Sequence, residues 1–266
     1  MNFLHNTIPD PIAFVAGPIT IYWYGLIMAF SILLALLLSL HIGARRGFKR
    51  EEVIDAAFWV IIGGLIGARL YEIALEWDYY SNHLSDIIKI WQGGLAIHGA
   101  LLGGALALWL FLRNKKYNFW NLAAVFLPGF ALGQAVGRWG NWFNQELFGE
   151  PSLLPWSIPI DLAHRPFVYE VFTYFHPVFL YESLGLLSIA VILYLLARRK
   201  DFPCALIVSF YLILAGALRF MVEFIKIDQT PELWEWRWPQ LFSFLLIIAG
   251  LAISVKIYLS IKKAKS

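Results

Sequence analysis

The densest group of polar side chains in the sequence lies in the segment Gly137–Gly149, which reads GRWGNWFNQELFG. It holds a guanidinium at Arg138, carboxamides at Asn141 and Asn144, and a carboxylate at Glu146. A guanidinium can hold a phosphate at two of its oxygens, and a carboxamide can both donate and accept hydrogen bonds. The segment therefore predicts a binding site for an anionic or polar group.

Two pairs of arginine and glutamate stand at helical spacing within apolar surroundings. Arg69 and Glu72 are three residues apart, and Arg219 and Glu223 are four apart. Residues at these spacings can meet on one face of a helix. Each pair taken alone is as compatible with a structural ion pair as with part of a functional site.

The remaining candidates are single polar residues near the ends of apolar segments: Tyr24, His98, Tyr181 and Glu182. An imidazole titrates near neutral pH and therefore suits general base catalysis. A histidine can equally hydrogen-bond a helix end or a ligand head group. Both roles remain open for His98.

The composition is that of a membrane protein. Of 266 residues, 60% are apolar and 15% are charged, whereas soluble domains carry about 25% charged residues. This excludes an ordinary soluble enzyme and a disordered chain. The net charge of +3 is too small to suggest binding of nucleic acid, and the single cysteine, Cys204, excludes an internal disulfide or a cysteine metal cluster.

Seven segments are long and apolar enough to be membrane spans, and a span in lipid must be helical so that its backbone is hydrogen-bonded. They are Ile19–Leu40, Val53–Ala74, Leu95–Leu112, Leu122–Gly137, Val178–Ala197, Ala205–Val222 and Leu241–Leu259. The fourth contains Pro128, so we expect it to kink or to continue past Arg138. The sequence predicts an all-α, polytopic membrane bundle that forms one domain over residues 1–266.

The basic residues predict the orientation of the spans. Fourteen Lys and Arg residues belong to the side reached after the odd-numbered spans, and five to the other side. The side richer in basic residues is usually cytoplasmic. We therefore expect an external N-terminus, a cytoplasmic C-terminus and an extracytoplasmic segment at Trp139–Pro177.

Every predicted span carries polar residues toward the same side. Successive spans run in opposite directions, so residues late in even spans and early in odd spans share one depth. Charged residues inside a membrane rarely persist without partners. The pattern predicts a polar cavity near the outer interface for a ligand with a charged head and apolar tails.

The polar segment Gly137–Gly149 resembles the signature of the bacterial prolipoprotein diacylglyceryl transferases. Further similar motifs follow the order of that family: WYGL at Trp23–Leu26, GGLAIHG at Gly93–Gly99, HPVFLYE at His176–Glu182 and RFMVEF at Arg219–Phe224. The resemblance extends from the first helix to the last, in order, and includes the expected seven spans.

This resemblance implies a transferase of the bacterial inner membrane that acts in the first step of lipoprotein maturation. It would move the diacylglyceryl group of phosphatidylglycerol to the lipobox cysteine of a prolipoprotein signal peptide, forming a thioether and releasing glycerol 1-phosphate. No cofactor or metal is implied. The implied catalytic residues are His98, Arg138 and Arg219. The implied substrate-binding residues are Tyr24, Arg138, Asn141, Asn144, Glu146, Gly149, Tyr181, Glu182 and Glu223.

The alternative interpretation is a membrane lipid carrier or flippase with a phospholipid site in the outer leaflet. Such proteins more often have broken helices at the midplane, internal repeats and a polar path to both faces. Here the polar residues stay toward one face, which favours chemistry at that face.

Overall fold

The computed structural model describes residues 2–90, 93–113, 115, 118–228 and 230–265, and for Asn2, Ile19, Ile97, His98, Ala264 and Lys265 it describes the backbone alone. The chain divides into two compact units. The first comprises Met1–Ile42 and Ala123–Ser266, and the second comprises Gly43–Leu122.

The elements are predominantly helical. The helices are α1 (Asn2–Asn6), α2 (Trp23–Arg45), α3 (Arg50–Leu75), α4 (Trp77–Tyr80), α5 (Ile97–Leu112), α6 (Phe119–Phe143), α7 (Val178–Ala197), α8 (Cys204–Val222) and α9 (Trp238–Lys265). The strands are β1 (Ile12–Ala16), β2 (Ile19–Tyr22), β3 (Ile158–Pro159), β4 (Tyr174–Phe175), β5 (Glu232–Leu233) and β6 (Trp236–Arg237).

Six helices in the described residues are long and apolar enough to cross a membrane: α2, α3, α6, α7, α8 and α9. The third predicted span, Leu95–Leu112, corresponds to α5, a shorter apolar helix of 16 residues. The protein is therefore a polytopic helical membrane protein, as the sequence predicts.

Several span boundaries differ from the predicted ones. Helix α2 begins at Trp23 rather than Ile19, because residues 19–22 pair with β1 in an antiparallel hairpin. Helix α6 passes through Pro128 and ends at Phe143, so Trp139–Phe143 belongs to the helix and not to the segment between spans. Helix α9 begins at Trp238, three residues before the predicted start.

In the first unit, helices α2 and α6 touch through their backbones. A Cβ atom on Gly129 would lie 2.3 Å from the carbonyl oxygen of Ala35, and one on Gly133 would lie 3.2 Å from that of Ser31. Small residues at four-residue spacing permit this approach between membrane helices. The contact fixes the helix that carries Arg138.

Helices α7, α8 and α9 are also closely packed, through small residues at their contacts. A Cβ atom on Gly185 of α7 would lie 2.5 Å from Cδ1 of Leu218 on α8. The Ser209 hydroxyl of α8 donates to the carbonyl oxygen of Gly250 on α9 at 2.6 Å. This packing places the start of α7 beside the end of α8, where Glu182 and Arg219 lie.

The connection between α6 and α7 has its own small core. Strands β3 and β4 are paired antiparallel. A buried apolar cluster lies around them: Trp142, Phe148, Ile158, Ile160, Phe175 and Phe179. This core holds the residues that follow α6 against the start of α7.

In the second unit, α3 and α5 form a helix pair in direct backbone contact. A Cβ atom on Gly67 would lie 2.3 Å from the carbonyl oxygen of Gly99, and one on Gly63 would lie 2.8 Å from that of Gly103. The glycine spacing in both helices thus has a packing role.

Candidate active site

Glu182, in the second turn of α7, lies at the centre of a group of charged side chains in the first unit. The residue is 2% exposed. Its Oε2 atom lies 2.7 Å from Nε of Arg138, and its Oε1 atom lies 3.0 Å from Nη1 of Arg219 and 3.4 Å from Nζ of Lys226. One carboxylate therefore joins the end of α6, the end of α8 and the residues that follow α8.

Glu223 is the second buried carboxylate of this group. Its Oε2 atom lies 2.9 Å from Nη2 of Arg219, and its Oε1 atom lies 3.1 Å from Nη1 of Arg237. The predicted pairing of Arg219 with Glu223 is present in the structure. The two terminal nitrogens of Arg219 contact different carboxylates, Glu182 and Glu223, so its guanidinium plane is held at two points.

The carboxylates and the guanidiniums of this group differ in exposure. The side chains of Glu182 and Glu223 are 3% and 0% exposed, whereas those of Arg138 and Arg219 are 25% and 31% exposed. The negative charges are thus enclosed, while the two arginine side chains are partly exposed. This arrangement suits the binding of an anion, because the side chains that remain partly accessible are the positively charged ones.

Asn141 and Glu146 extend the group on the side of α6. Nη1 of Arg138 donates to Oδ1 of Asn141 at 3.5 Å, and Nδ2 of Asn141 donates to Oε1 of Glu146 at 2.7 Å. Asn144 is half-buried in the turn after α6, where its backbone N–H donates to the carbonyl oxygen of Gly140. The polar residues of the segment 137–149 are thus continuous with the charged group.

Tyr24 packs on the backbone of α6. A Cβ atom on Gly140 would lie 2.7 Å from Cδ2 of Tyr24, so a larger residue at Gly140 would displace the tyrosine ring. Gly140 lies two residues after Arg138. This contact brings the WYGL motif, which contains Tyr24, to the turn of α6 that carries Arg138.

Gly149 contacts two segments of the chain. Its N–H donates to the carbonyl oxygen of His176 at 3.0 Å, and it forms an antiparallel bridge with Lys226. A Cβ atom there would lie 2.8 Å from the carbonyl oxygen of Ile225. The glycine therefore permits the close backbone approach that holds Lys226 near Glu182.

The hydroxyl of Tyr181 is directed at the segment between α6 and α7. It accepts a hydrogen bond from Nε1 of Trp156 at 2.8 Å and lies 3.1 Å from Nδ1 of His176. Tyr181 thus fixes the start of α7 to this segment, next to Glu182.

Arg69, in the second unit, makes backbone contacts that its spacing from Glu72 does not indicate. Its guanidinium donates to the carbonyl oxygens of Ile87 at 2.8 Å, Gly93 at 2.9 Å and Gly94 at 2.8 Å, and also to that of Asp86, rather than pairing with Glu72. Gly93 and Gly94 adopt positive φ angles of 96° and 71°. Their backbone turn, which glycine favours, directs several carbonyls to one arginine.

His98 is the second residue of α5, and its side chain lies outside the described residues. Its predicted catalytic role stays a prediction. In the part of the chain that the structure describes, no group of three or more His, Cys, Asp or Glu side chains could hold a metal ion.

Two basic residues of the site were missed by sequence reasoning: Lys226 and Arg237. Nζ of Lys226 is buried, and burial lowers the pKa of this ammonium while the nearby Glu182 opposes the shift. Lys226 lies seven residues after Arg219 and three after Glu223, a helical spacing that the sequence could have revealed. It lies beyond the apolar stretch of α8 and outside the motifs of the sequence.

Arg237 joins the residues after α8 into a fixed loop. Its Nη1 atom donates to the carbonyl oxygens of Glu223 at 2.9 Å and Lys226 at 3.0 Å, and its Nε donates to Oγ1 of Thr230 at 2.9 Å. Nη2 also donates to the carbonyl oxygen of Asp228. This loop positions both Glu223 and Lys226.

Taken together, these contacts give two partly exposed arginines whose guanidiniums are held by enclosed carboxylates. Cations that are positioned in advance stabilise negative charge as it develops in a reaction. The geometry therefore suits transfer chemistry in which a phosphate group departs.

Comparisons with known proteins agree with the motifs. A family model described as prolipoprotein diacylglyceryl transferase matches residues 11–256. A relative from Acaryochloris marina named phosphatidylglycerol–prolipoprotein diacylglyceryl transferase is 45% identical over 225 residues, which cover 84% of this chain and 81% of the relative. Relatives with the same name from Synechococcus elongatus and a Synechocystis species are 41% and 39% identical, and the matches cover 96% and 94% of this chain and 90% of each relative.

Proposed function

The chain belongs to the prolipoprotein diacylglyceryl transferase family, and on this premise we propose that its reaction takes place at the charged group around Glu182. The enzyme transfers the diacylglyceryl group of phosphatidylglycerol to a prolipoprotein. The location is supported by one contrast: the carboxylates of Glu182 and Glu223 are buried, whereas the side chains of Arg138 and Arg219 are partly exposed.

The nucleophile is the thiol of the lipobox cysteine in the prolipoprotein signal peptide. Its sulfur forms a bond to the terminal glyceryl carbon of the diacylglyceryl group, while the bond between that carbon and the phosphate oxygen breaks. The electron pair of the broken bond leaves with the phosphate, giving glycerol 1-phosphate. The thiol proton passes to a base, and the product is a thioether.

Arg138 binds the phosphate of phosphatidylglycerol, and Arg219 stabilises the negative charge that grows on the departing phosphate. Both arginine side chains are partly exposed, and both guanidiniums are oriented by Glu182. A guanidinium fork suits a phosphate better than an ammonium does, because it presents several donors in one plane. Tyr24, Asn141, Asn144, Glu146, Gly149, Tyr181 and Glu223 line or orient this site.

A base near the thiol is needed because a thiol with a pKa of about 8.5 is only slightly ionised at neutral pH. His98 is the proposed base, and its alternative role is to position the substrate. The pH dependence of a His98 variant separates these two roles.

The site faces the outer leaflet of the bacterial inner membrane in this proposal. The distribution of basic residues supports an external N-terminus and a cytoplasmic C-terminus. Secreted prolipoproteins and phosphatidylglycerol would then meet on the outer side.

The decisive experiment incubates the purified protein with phosphatidylglycerol vesicles and a lipobox peptide. We expect glycerol phosphate to be released and the mass of the peptide to increase by one diacylglyceryl group. A peptide with serine in place of its cysteine is the control and should remain unmodified. Movement of lipid between leaflets with no modified peptide would contradict the proposal and favour a carrier.

A further inference from the structure

The connection between α8 and α9 carries a short hairpin with three outward-facing tryptophans. Strands β5 and β6 are paired antiparallel, with Leu233 opposite Trp236. Trp234 at the turn is 86% exposed, and Trp236 and Trp238 are roughly half exposed. We call Leu233–Trp238 the tryptophan hairpin.

The hairpin is held in place by the loop that it follows. Arg237 donates to the carbonyl oxygens of Glu223 and Lys226 on the preceding loop. The N–H of Trp238 donates to the carbonyl oxygen of Pro231 at 2.9 Å, which closes the base of the hairpin. The exposure of Trp234 therefore belongs to a fixed element.

The turn itself adopts an uncommon conformation. Trp234 and Glu235 have φ angles of 51° and 68°. Bulky residues rarely adopt positive φ, and such strain persists only when the surrounding structure enforces it. Here the backbone is strained in the same place where a large aromatic side chain projects outward.

The position of the hairpin along the chain places it at a membrane surface. Helix α8 ends its membrane span at Val222, and α9 begins its span at Trp238, so the hairpin occupies the short connection between two spans. The ring of Trp236 lies 5.8 Å from that of Phe220, centroid to centroid, in the last turn of α8. The tryptophans are therefore close to the level at which both spans end.

We propose that the tryptophan hairpin inserts into the interface of the lipid bilayer and anchors the end of α8 there. Trp favours this interface because its ring is apolar while its indole N–H can reach polar groups. The occupant of this exposed aromatic surface is thus phospholipid, at the boundary between head groups and acyl chains. The anchoring does not depend on the reaction proposed above.

The test uses a fluorescent probe at position 234, because the chain contains twelve tryptophans and intrinsic fluorescence would not isolate one of them. Trp234→Cys is made with Cys204→Ser and labelled with an environment-sensitive nitrobenzoxadiazole dye. The labelled protein is placed in phosphatidylcholine–phosphatidylglycerol vesicles with or without brominated acyl chains. The matched control is Ala163→Cys, an exposed position in the segment between α6 and α7.

We expect blue-shifted emission from position 234 and at least a twofold stronger quenching by bromine near the head group than at position 163. Emission like that in water, without quenching, would overturn the proposal. Blue-shifted emission that bromine does not quench would also overturn it, because the probe would then be covered by protein. Glu235→Cys repeats the test if Trp234→Cys does not fold, and none of these readouts requires turnover.

Discussion

Replacement of Glu182 by glutamine tests the central feature of the site. The change removes one negative charge and preserves the size of the side chain. In the described residues, three cations lie within 3.4 Å of this carboxylate: Arg138, Arg219 and Lys226. Removing one partner of a buried ion pair costs about 3–5 kcal/mol, and here the ammonium of Lys226 would stay buried without its carboxylate partner. We expect a loss of this size in the free energy of unfolding of Glu182→Gln.

The same variant should lose activity for a second reason. Glu182 orients both Arg138 and Arg219, and the loss of one positioned donor at a developing charge lowers the rate about 10²–10³-fold. We therefore expect turnover with phosphatidylglycerol vesicles and a lipobox peptide to fall by at least about 10²-fold. The assay is run below the melting temperature of the variant, so that the protein is folded.

Glu170→Gln is the matched control, since it makes the same chemical change at an exposed position between α6 and α7. Surface substitutions of this kind change stability by no more than about 0.5 kcal/mol. Equal stability and equal turnover in Glu182→Gln and Glu170→Gln would refute the ionic role of Glu182. Lower stability with full turnover would refute its role in orienting the arginines.

Arg138→Lys and Arg219→Lys should each lower turnover about 10²–10³-fold at matched thermal stability, because an ammonium cannot replace the guanidinium fork. The control, Arg198→Lys at an exposed position after α7, should retain full activity. Full activity in both site variants would contradict the assignment of these arginines to the phosphate. His98→Gln should retain lipid binding and lose about 10²–10⁴ in turnover, with a smaller defect as the assay pH approaches the thiol pKa of about 8.5. Near-normal turnover of His98→Gln at neutral pH would instead leave His98 as a structural histidine. Ser152→Cys, in a background without the natural cysteine, should react with an impermeant thiol reagent in intact cells with a permeabilised outer membrane; reaction only after lysis would reverse the proposed orientation.

The membrane spans could be predicted from sequence because lipid forces long apolar stretches into helices. The predicted span Val178–Ala197 coincides with α7, and Ala205–Val222 differs from α8 by one residue. The larger errors occur at the membrane surface, as at the end of α6 and the start of α9. At these helix ends, polar and aromatic residues continue the helix. The backbone hydrogen bonds of a helix do not depend on side-chain hydropathy, so hydropathy does not mark where the helix ends.

The site could be predicted where its contacts are local. The pairing of Arg219 with Glu223 follows from their four-residue spacing on one helix. The contacts of Glu182 with Arg138 and Lys226 join residues more than forty positions apart in the sequence, so no periodicity could reveal them. The carbonyl partners of Arg69 could not be predicted, because a backbone turn at two glycines supplies them and the spacing of charged residues does not indicate it.

The order of charges along the chain bears on how the protein enters the membrane during synthesis. Arg138, Glu182 and Arg219 alternate in sign and belong to the successive helices α6, α7 and α8, and Glu223 follows α8 directly. A charged side chain without a partner is costly in a membrane. Because each of these residues after Arg138 arrives when an oppositely charged partner is already in place, neutralisation can proceed stepwise with insertion, and the ion pairs of Arg138 and Arg219 with these glutamates are complete once α8 and Glu223 have entered.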